Sequence, residues 1–482
     1  METLIAFLQQ HSSILAILAI VFVFSYPAVA LLFHHSKPSE LPPGTLGWFP
    51  HLLQNLSFLA PHPSNSRGYF LEHNIQRYGP IFKCHLYGHP AIVSCDGDFN
   101  SFILQQEDRL VEVSYPSNVQ RVLGDLSLLV VTGDLHKRLR GTLLNFFAGV
   151  KAPNSSFLAH IEENAVQVML SWATKKTIKF CEESRKFTFG VLAKEALSLG
   201  PEDAAFIEMF HNFKSFIKGL ASLPINIPGT AYAKAIHARH RIKVIMESLI
   251  QQREGRGEAK WDELKMDFLD VLLAHDHLSK EEIVSLVMDL LVGGQETTTM
   301  FIATVVKFLS DHPRALEQLR REHERVGDGR QLQWDDYKQM SFTQDVMKEA
   351  LRCGNLIKFV CRKSIKPIHY KGFKIPVGWK IIPVFSGVHL DPSRYSNPEE
   401  FNPYRWQGDE TRGHNGFTPF AGGKRLCPGN EFAKLETAVF LHHLVLNFSW
   451  TPLKDTDCPM SVPYLDFEHG FPIAIKRISP SD

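Results

Sequence analysis

The chain has 482 residues, 44% of them hydrophobic, enough for a large buried core. Its formal net charge is +1 with no basic block, which argues against nucleic acid as a partner. Seven scattered cysteines (84, 95, 181, 353, 361, 427 and 458), with no CxxC pair or Cys/His cluster, argue against zinc or a disulfide framework and for a reducing compartment. No repeat or long low-complexity linker divides the chain, so one large domain behind an N-terminal anchor is expected.

Ile14 to Phe33 is an uncharged run interrupted only by Ser25, Tyr26 and Pro27. At helical rise it spans about 30 Å, the thickness of a bilayer's hydrocarbon core. Ala28-Val29-Ala30 has the look of a signal-peptidase site, but Glu2 and the lack of Lys or Arg before the run speak for an uncleaved transmembrane anchor over 1–36. Lys37 then places the remainder in the cytosol. Pro38, Pro42, Pro43 and Gly44 make 37–50 a stiff proline-rich hinge, because proline fixes φ and stops a helix. The folded domain is expected over 51–482.

The alternation from Ile81 to Cys95, broken at Gly88-His89-Pro90, predicts a hairpin. Val130 to Phe147 reads as a helix that puts His136 and Arg140 on one face, able to meet an anionic group or simply to face solvent. Phe206, Phe210 and Phe213 recur at helical spacing, as core or as the wall of an apolar pocket. The charged stretch Gln251 to Lys265 reads as a surface loop.

Ser279-Lys-Glu-Glu282 is a capping box that opens one long buried helix, closed by Pro313. Mid-helix lies Gly293-Gly-Gln-Glu-Thr-Thr298. Two glycines there cost roughly 1 kcal/mol each, and a buried acid costs more unless partnered, so the cluster marks a functional place. Thr297 is spaced to bond back to the carbonyl of Gly293. Glu349 and Arg352 sit on adjacent turns of another predicted helix. Tyr370 to Pro376 and Trp379 to Phe385 are expected to pair as a hairpin around Val377-Gly378. Finally, Phe420-Ala-Gly-Gly-Lys-Arg-Leu-Cys-Pro-Gly429 sets one cysteine among three glycines, beside Lys424 and Arg425 and before a helix-like run. Cys427 there is a candidate soft metal ligand, with its pKa expected to fall under the neighbouring cations. A buried structural cysteine is the plainer alternative.

The last loop matches F-x-x-G-x-R-x-C-x-G at Phe420, Gly423, Arg425, Cys427 and Gly429 and so resembles the haem-binding loop of the cytochrome P450 family. The 293–298 stretch resembles that family's oxygen-activation motif. Glu349 and Arg352 match its E-x-x-R pair, with Arg405 as third member. The resemblance implies a mainly α fold with a smaller β region and haem b, ligated through its iron by Cys427. It further implies propionate contacts from Arg140, Arg425, His136 and Arg362, proton handling for O2 by Glu296 and Thr297, and a structural triad of Glu349, Arg352 and Arg405. Phe206, Phe210 and Phe213 would roof a substrate pocket floored by Gly293. Electrons would come from NADPH through a separate NADPH-cytochrome P450 reductase, since no GxGxxG fingerprint or flavin domain is apparent. The anchor implies a single pass in the endoplasmic reticulum membrane with the haem-thiolate monooxygenase domain in the cytosol. His136 stands where W-x-x-x-R members carry Trp.

Beyond the family, Leu356 to Leu390 and Arg425 to Val445 look like plant sterol C-22 hydroxylases of brassinosteroid biosynthesis. Cys361 and Ala421-Gly-Gly-Lys424 depart from them. The expected activity is thus side-chain hydroxylation of a sterol or steroid, at C-22, for brassinosteroid or steroidal saponin or alkaloid formation. Oxidation of a diterpenoid or triterpenoid is the alternative within the family, and a non-enzymatic haem sensor the alternative outside it.

Overall fold

The structure, a computed structural model, describes residues 40–46, 54–149, 156–255, 266–275, 277–326, 330–408, 416–454, 457–462 and 464–478. The expected anchor over 14–33 lies outside them, and among the described residues no helix is long and apolar enough to cross a membrane. The described part of the hinge is fastened rather than free. The Pro43 carbonyl accepts from Lys83 N–H at 2.8 Å and that of Glu40 from Lys374 N–H at 2.7 Å.

The helices that position the site, numbered in chain order, are α1 (Gly97–Leu104), α2 (Ser117–Leu123), α3 (Gly133–Gly149), α4 (Phe157–Leu170), α5 (Phe180–Leu197) and α6 (Ala204–Leu220). They continue with α7 (Ala231–Glu254), α8 (Lys280–Asp311), α9 (Pro313–Glu324), α10 (Ser341–Gly354) and α11 (Asn430–Asn447). The charged stretch expected as a loop from Gln251 remains helical to Glu254; residues 256–265 lie outside the description. The strands are β1 (Ile81–Leu86), β2 (His89–Ser94), β3 (Val111–Val113), β4 (Thr177–Lys179), β5 (Arg362–Ser364), β6 (Ile368–Tyr370), β7 (Phe373–Ile375), β8 (Lys380–Pro383), β9 (Phe448–Pro452) and β10 (Pro472–Arg477).

One five-stranded sheet runs β1-β2-β8-β5-β3 and a smaller one β9-β10-β4. The β1–β2 hairpin forms as expected, with Ile81 opposite Ser94 and Leu86 opposite His89. The second expected hairpin does not. β6 pairs with β7 through Lys371-Gly372, while β8 leaves to run parallel to β2, with Ile92 opposite Ile381. Short apolar runs specify a strand but not its partner, and here the buried face of β8 is completed by β2.

The core is built on α8, framed by α5, α10 and α11. Ser279 caps α8 through both bonds of the predicted box. α5 is buried on nearly every side, with Glu183 and Glu195 among its buried residues. It crosses α8 closely because Gly294 is there: a Cβ on Gly294 would lie 2.9 Å from Leu192 Cδ1.

Glu349 of α10 is fully buried and accepts from Arg352 Nε (2.9 Å) and Nη2 (2.7 Å). It also accepts from Arg405 Nε (2.9 Å), Trp406 Nε1 (2.9 Å) and the Asn402 amide (3.0 Å). Arg352 in turn donates to the carbonyls of His389 (2.9 Å) and Pro398 (2.6 Å). The imidazole of His389 carries the support onward. Its Nδ1 meets Asn355 Oδ1 at 3.0 Å and its Nε2 accepts from Thr418 N–H at 3.2 Å, just ahead of the cysteine loop.

That bonding requires a neutral ring, and burial lowers the pKa of His389 to about 3. Burial likewise holds His323 at about 3 and His62, His136 and His442 at about 4. These bases take up protons on unfolding below pH 6.5 but not while folded, so their contribution is present above 6.5 and is lost as pH falls toward 4. The acids Asp267, Asp289, Glu436 and Asp466, whose pKa values burial raises, act in the opposite sense, and the five imidazoles outnumber them. We expect the thermal midpoint to fall steadily from pH 6.5 to 5, at about 1.4 kcal/mol of stability per pH unit for each net proton. A midpoint flat over that interval would contradict it.

Candidate active site

Away from its two ends, α8 is exposed only at Gly293 and Thr297, one turn apart on the same face. Nothing lies within 4 Å of where a Gly293 Cβ would be, so the two glycines serve different ends: Gly294 for packing, Gly293 for open space. Thr297 Oγ1 donates to the Gly293 carbonyl at 2.5 Å. Glu296, a third of a turn round, is held by Arg185 of α5, Nε to Oε2 at 3.0 Å and Nη2 to Oε1 at 2.7 Å. That partner, 111 residues away, carries no motif and was not anticipated.

The cysteine loop is closed by the Cys427 amide bonding the Phe420 carbonyl at 3.0 Å. Gly423 has φ of +63°, and a Cβ there would sit 2.0 Å from the Leu104 carbonyl oxygen, so its freedom serves the seat on α1 rather than approach to a ligand. Gly429 caps α11, and its N–H reaches back to the sulfur of Cys427. Burial nevertheless pushes the Cys427 thiol above its ordinary range, with the Gly429 N–H and Arg140 pulling it back. This corrects the expectation that Lys424 and Arg425 depress it. Lys424 pairs with Asp108 (3.1 Å), and Arg425 with Glu107 (Nε to Oε1, 2.6 Å).

Around this loop the structure gathers His136 and Arg140 of α3, Arg362 of β5 and Arg425. Arg140 donates to the Leu426 carbonyl. Arg362 lies 2.8 Å from the other oxygen of Glu107, which is 1% exposed. Arg425 also donates to the carbonyls of Leu128 (2.8 Å) and Val131 (2.6 Å). His136 is buried and neutral, its pKa lowered by burial and then by Arg425 and Arg140. Glu107, unmarked by any motif, is the residue the sequence reading missed here.

The residues fit a haem. One sulfur ligand faces the site; two guanidiniums, Arg362 and Arg425, share the Glu107 carboxylate while Arg140 donates to a backbone carbonyl, leaving a cationic excess suited to two propionates. The open stripe of α8 at Gly293 and Thr297 supplies the facing surface. Phe206, Phe210 and Phe213 pack instead against α5. They close on Phe189 of α5 at centroid distances of 4.9, 5.2 and 5.6 Å, and Phe213 is fully buried, which is the core alternative for that stripe.

Comparison with known proteins follows the same line. Residues 42–471 match the family model described as Cytochrome P450. The chain is 46% identical over 465 residues to a protein named Cytochrome P450 724B1 from Oryza sativa subsp. japonica, covering 93% of this chain and 95% of that one. It is 40% identical to a cholesterol 22-hydroxylase of Paris polyphylla over 98% of both chains. A steroid (22S)-hydroxylase of Oryza sativa subsp. indica is also 40% identical, over 92% of this chain and 90% of that one. Among solved structures, a retinoic acid bound cyanobacterial CYP120A1 matches with a TM-score of 0.80 at 27% identity, covering 91% of this chain and 99% of that one.

Proposed function

The chain belongs to the cytochrome P450 family, and on that premise we propose that this monooxygenase hydroxylates a plant sterol on its side chain, at C-22. The observation that carries the proposal is near-full-length identity of 40% to proteins named for 22-hydroxylation of cholesterol or steroids. The 46% relative is named without a substrate, which is why the position of attack rests on the others. Anchoring in the endoplasmic reticulum membrane through 14–33, with electrons from NADPH-cytochrome P450 reductase, belongs to the same proposal. The uncharged length of that run supports it, as does a substrate that partitions into lipid.

Bound haem supplies the activation of O2 and insertion of one oxygen atom into a C–H bond. Cys427 would ligate the iron, and Arg140, Arg362 and Arg425 would hold the propionates. Gly293 leaves open space on this face of α8, and Thr297 Oγ1 is the hydroxyl at which a proton would enter. Its donor bond to the Gly293 carbonyl parks that proton inside the helix until it is needed. Glu296, both of whose oxygens Arg185 holds, would take up a proton from solvent and pass it on toward that hydroxyl.

Thr297→Ala should therefore keep its haem and its substrate but form less product per NADPH, by about 10-fold, with the remainder of the electrons appearing as hydrogen peroxide. A positioned proton donor contributes roughly 10²–10⁴, of which a water filling the hydroxyl's place retains part. Unaltered coupling would remove Thr297 from this role.

The test of the substrate is to offer campesterol, cholesterol and a diterpenoid acid to the reductase-coupled enzyme and identify products by mass spectrometry. A 22-hydroxysterol as main product is expected. The diterpenoid acid is included because the 27% structural match is described with retinoic acid, an isoprenoid acid, bound. Its exclusive oxidation would replace the sterol reading with a terpenoid one.

A further inference from the structure

Residues 124–132, between α2 and α3, form neither helix nor strand, yet α8 and the cysteine loop both bond to them, and α7 bonds to the residue just before them. At the start, Arg239 Nε of α7 donates to the Leu123 carbonyl at 3.3 Å. At the far end, Arg425 of the cysteine loop donates to the carbonyls of Leu128 and Val131. Between them stands Asp289 of α8. Its Oδ1 accepts from the Ser127 hydroxyl at 2.6 Å and its Oδ2 from the Leu128 amide at 2.7 Å, so each carboxylate oxygen is engaged by this one segment. Asp289 lies one turn before Gly293, on the stripe that continues to Thr297. The segment thus runs from the open face of α8 to the loop of Cys427 and closes one wall of the space between them. An acid placed in an otherwise apolar stretch of helix is a costly way to hold a loop, unless the loop's position itself matters.

We propose that Asp289 is a positioning residue for substrate, setting the wall formed by 127–131 and so the fit of whatever lies against Gly293. The identity of the ligand used below rests on the sterol reading; the positioning does not.

A pH signature accompanies the geometry. Burial raises Asp289 to about 7, while Ser127, the Leu128 amide and Arg239 oppose the rise. The charges facing it are Arg239 from α7 and, across the segment, the Arg425–Glu107 pair; Arg138–Glu282 lies two turns down α8. Freeing the segment would let water reach the carboxylate and lower its pKa. By linkage the held form is favoured below about 7 and loosens as pH rises through it.

The experiment uses the full-length holoenzyme as wild type, Asp289→Asn and Ser127→Ala. Both variants should retain the thiolate-type carbon monoxide spectrum. Hydrogen exchange at the amides of 124–132 should quicken by about 10-fold in Asp289→Asn, because the amide nitrogen replaces one of the two acceptor oxygens and leaves the Ser127 hydroxyl or the Leu128 amide without its acceptor. The dissociation constant for campesterol and cholesterol, read from the haem absorbance change on binding, should rise by about 10-fold, with KM rising more than kcat falls. In the wild type that constant should grow between pH 6.5 and 8, and in Asp289→Asn it should be flat. Ser127→Ala, which leaves α8 untouched, should shift exchange and binding in the same direction by less. Unchanged exchange in both variants overturns the proposal, as does faster exchange with unaltered affinity and pH profile, which would make the bond merely structural. If no sterol binds the wild type, the sterol reading fails, and the positioning role is judged by exchange together with the KM and kcat of whichever compound is turned over.

Discussion

Cys427→Ala should fold, lose the thiolate-type carbon monoxide spectrum and show no turnover of any substrate. The expectation of a folded chain rests on where the loop's own bonds lie. The Cys427 amide to Phe420 carbonyl bond is backbone, and the shape is further held by Asn430 Nδ2 on the Cys427 carbonyl at 3.2 Å and by Gly423 against α1. None of these needs the sulfur. Among the described residues, the remaining cysteines Cys84, Cys95, Cys181, Cys353 and Cys361 are buried elsewhere, and Cys458 lies far along the chain, so no neighbour in the loop can substitute. Buried thiols are held protonated by desolvation, whereas the thiol of Cys427 has an amide and a guanidinium aimed at it. A metal ion would complete its deprotonation. Circular dichroism matching the wild type, together with a lost thiolate spectrum, is the predicted pair of results. An unaltered spectrum would overturn the assignment of the ligand.

Glu349→Ala should do the reverse: the ligand stays, and the fold that presents it fails. Glu349 and Arg352 are fully buried and Arg405 is 4% exposed, so truncating the acid leaves two guanidiniums without a counter-charge in the core. Breaking such a pair from one side costs about 3–5 kcal/mol. Five donors lose their acceptor at once: Arg352, through two nitrogens, Arg405, Trp406 and the Asn402 amide. The damage would travel through the His389 carbonyl and ring to Thr418 and the cysteine loop. We expect poor haem retention and a large drop in the thermal midpoint. Arg352→Lys should rescue little, because a single ammonium cannot reproduce the paired bonds to Glu349 while also reaching the carbonyls of Pro398 and Glu400. A Glu349→Ala protein that binds haem normally and melts near the wild type would contradict the structural role.

What could be read from the amino-acid order was whatever is coded within a few residues. The capping box at Ser279, the turn-to-turn bond of Thr297 to Gly293, the β1–β2 hairpin and the ten-residue loop of Cys427 all depend on contacts at short separation, where residue type and spacing suffice. The membership of Glu349, Arg352 and Arg405 in one cluster was legible through the family resemblance alone, since no local rule joins α10 to residue 405.

What only the tertiary structure decided are the pairings across long separations. Glu107 meets Arg425 across 318 residues and Arg185 meets Glu296 across 111, and nothing in either neighbourhood names the other. β8 takes β2 as its partner in place of the nearer β7, because a four-residue apolar strand fits any edge of matching polarity until the rest of the core selects one. The acid Asp289 reads in sequence as an interruption of an apolar helix. Only when Ser127 and Leu128 are brought to it does it become the point where one wall of the site is held. Charge and hydrogen-bonding groups state a need in the sequence; which group meets it is settled when the chain closes around a common core.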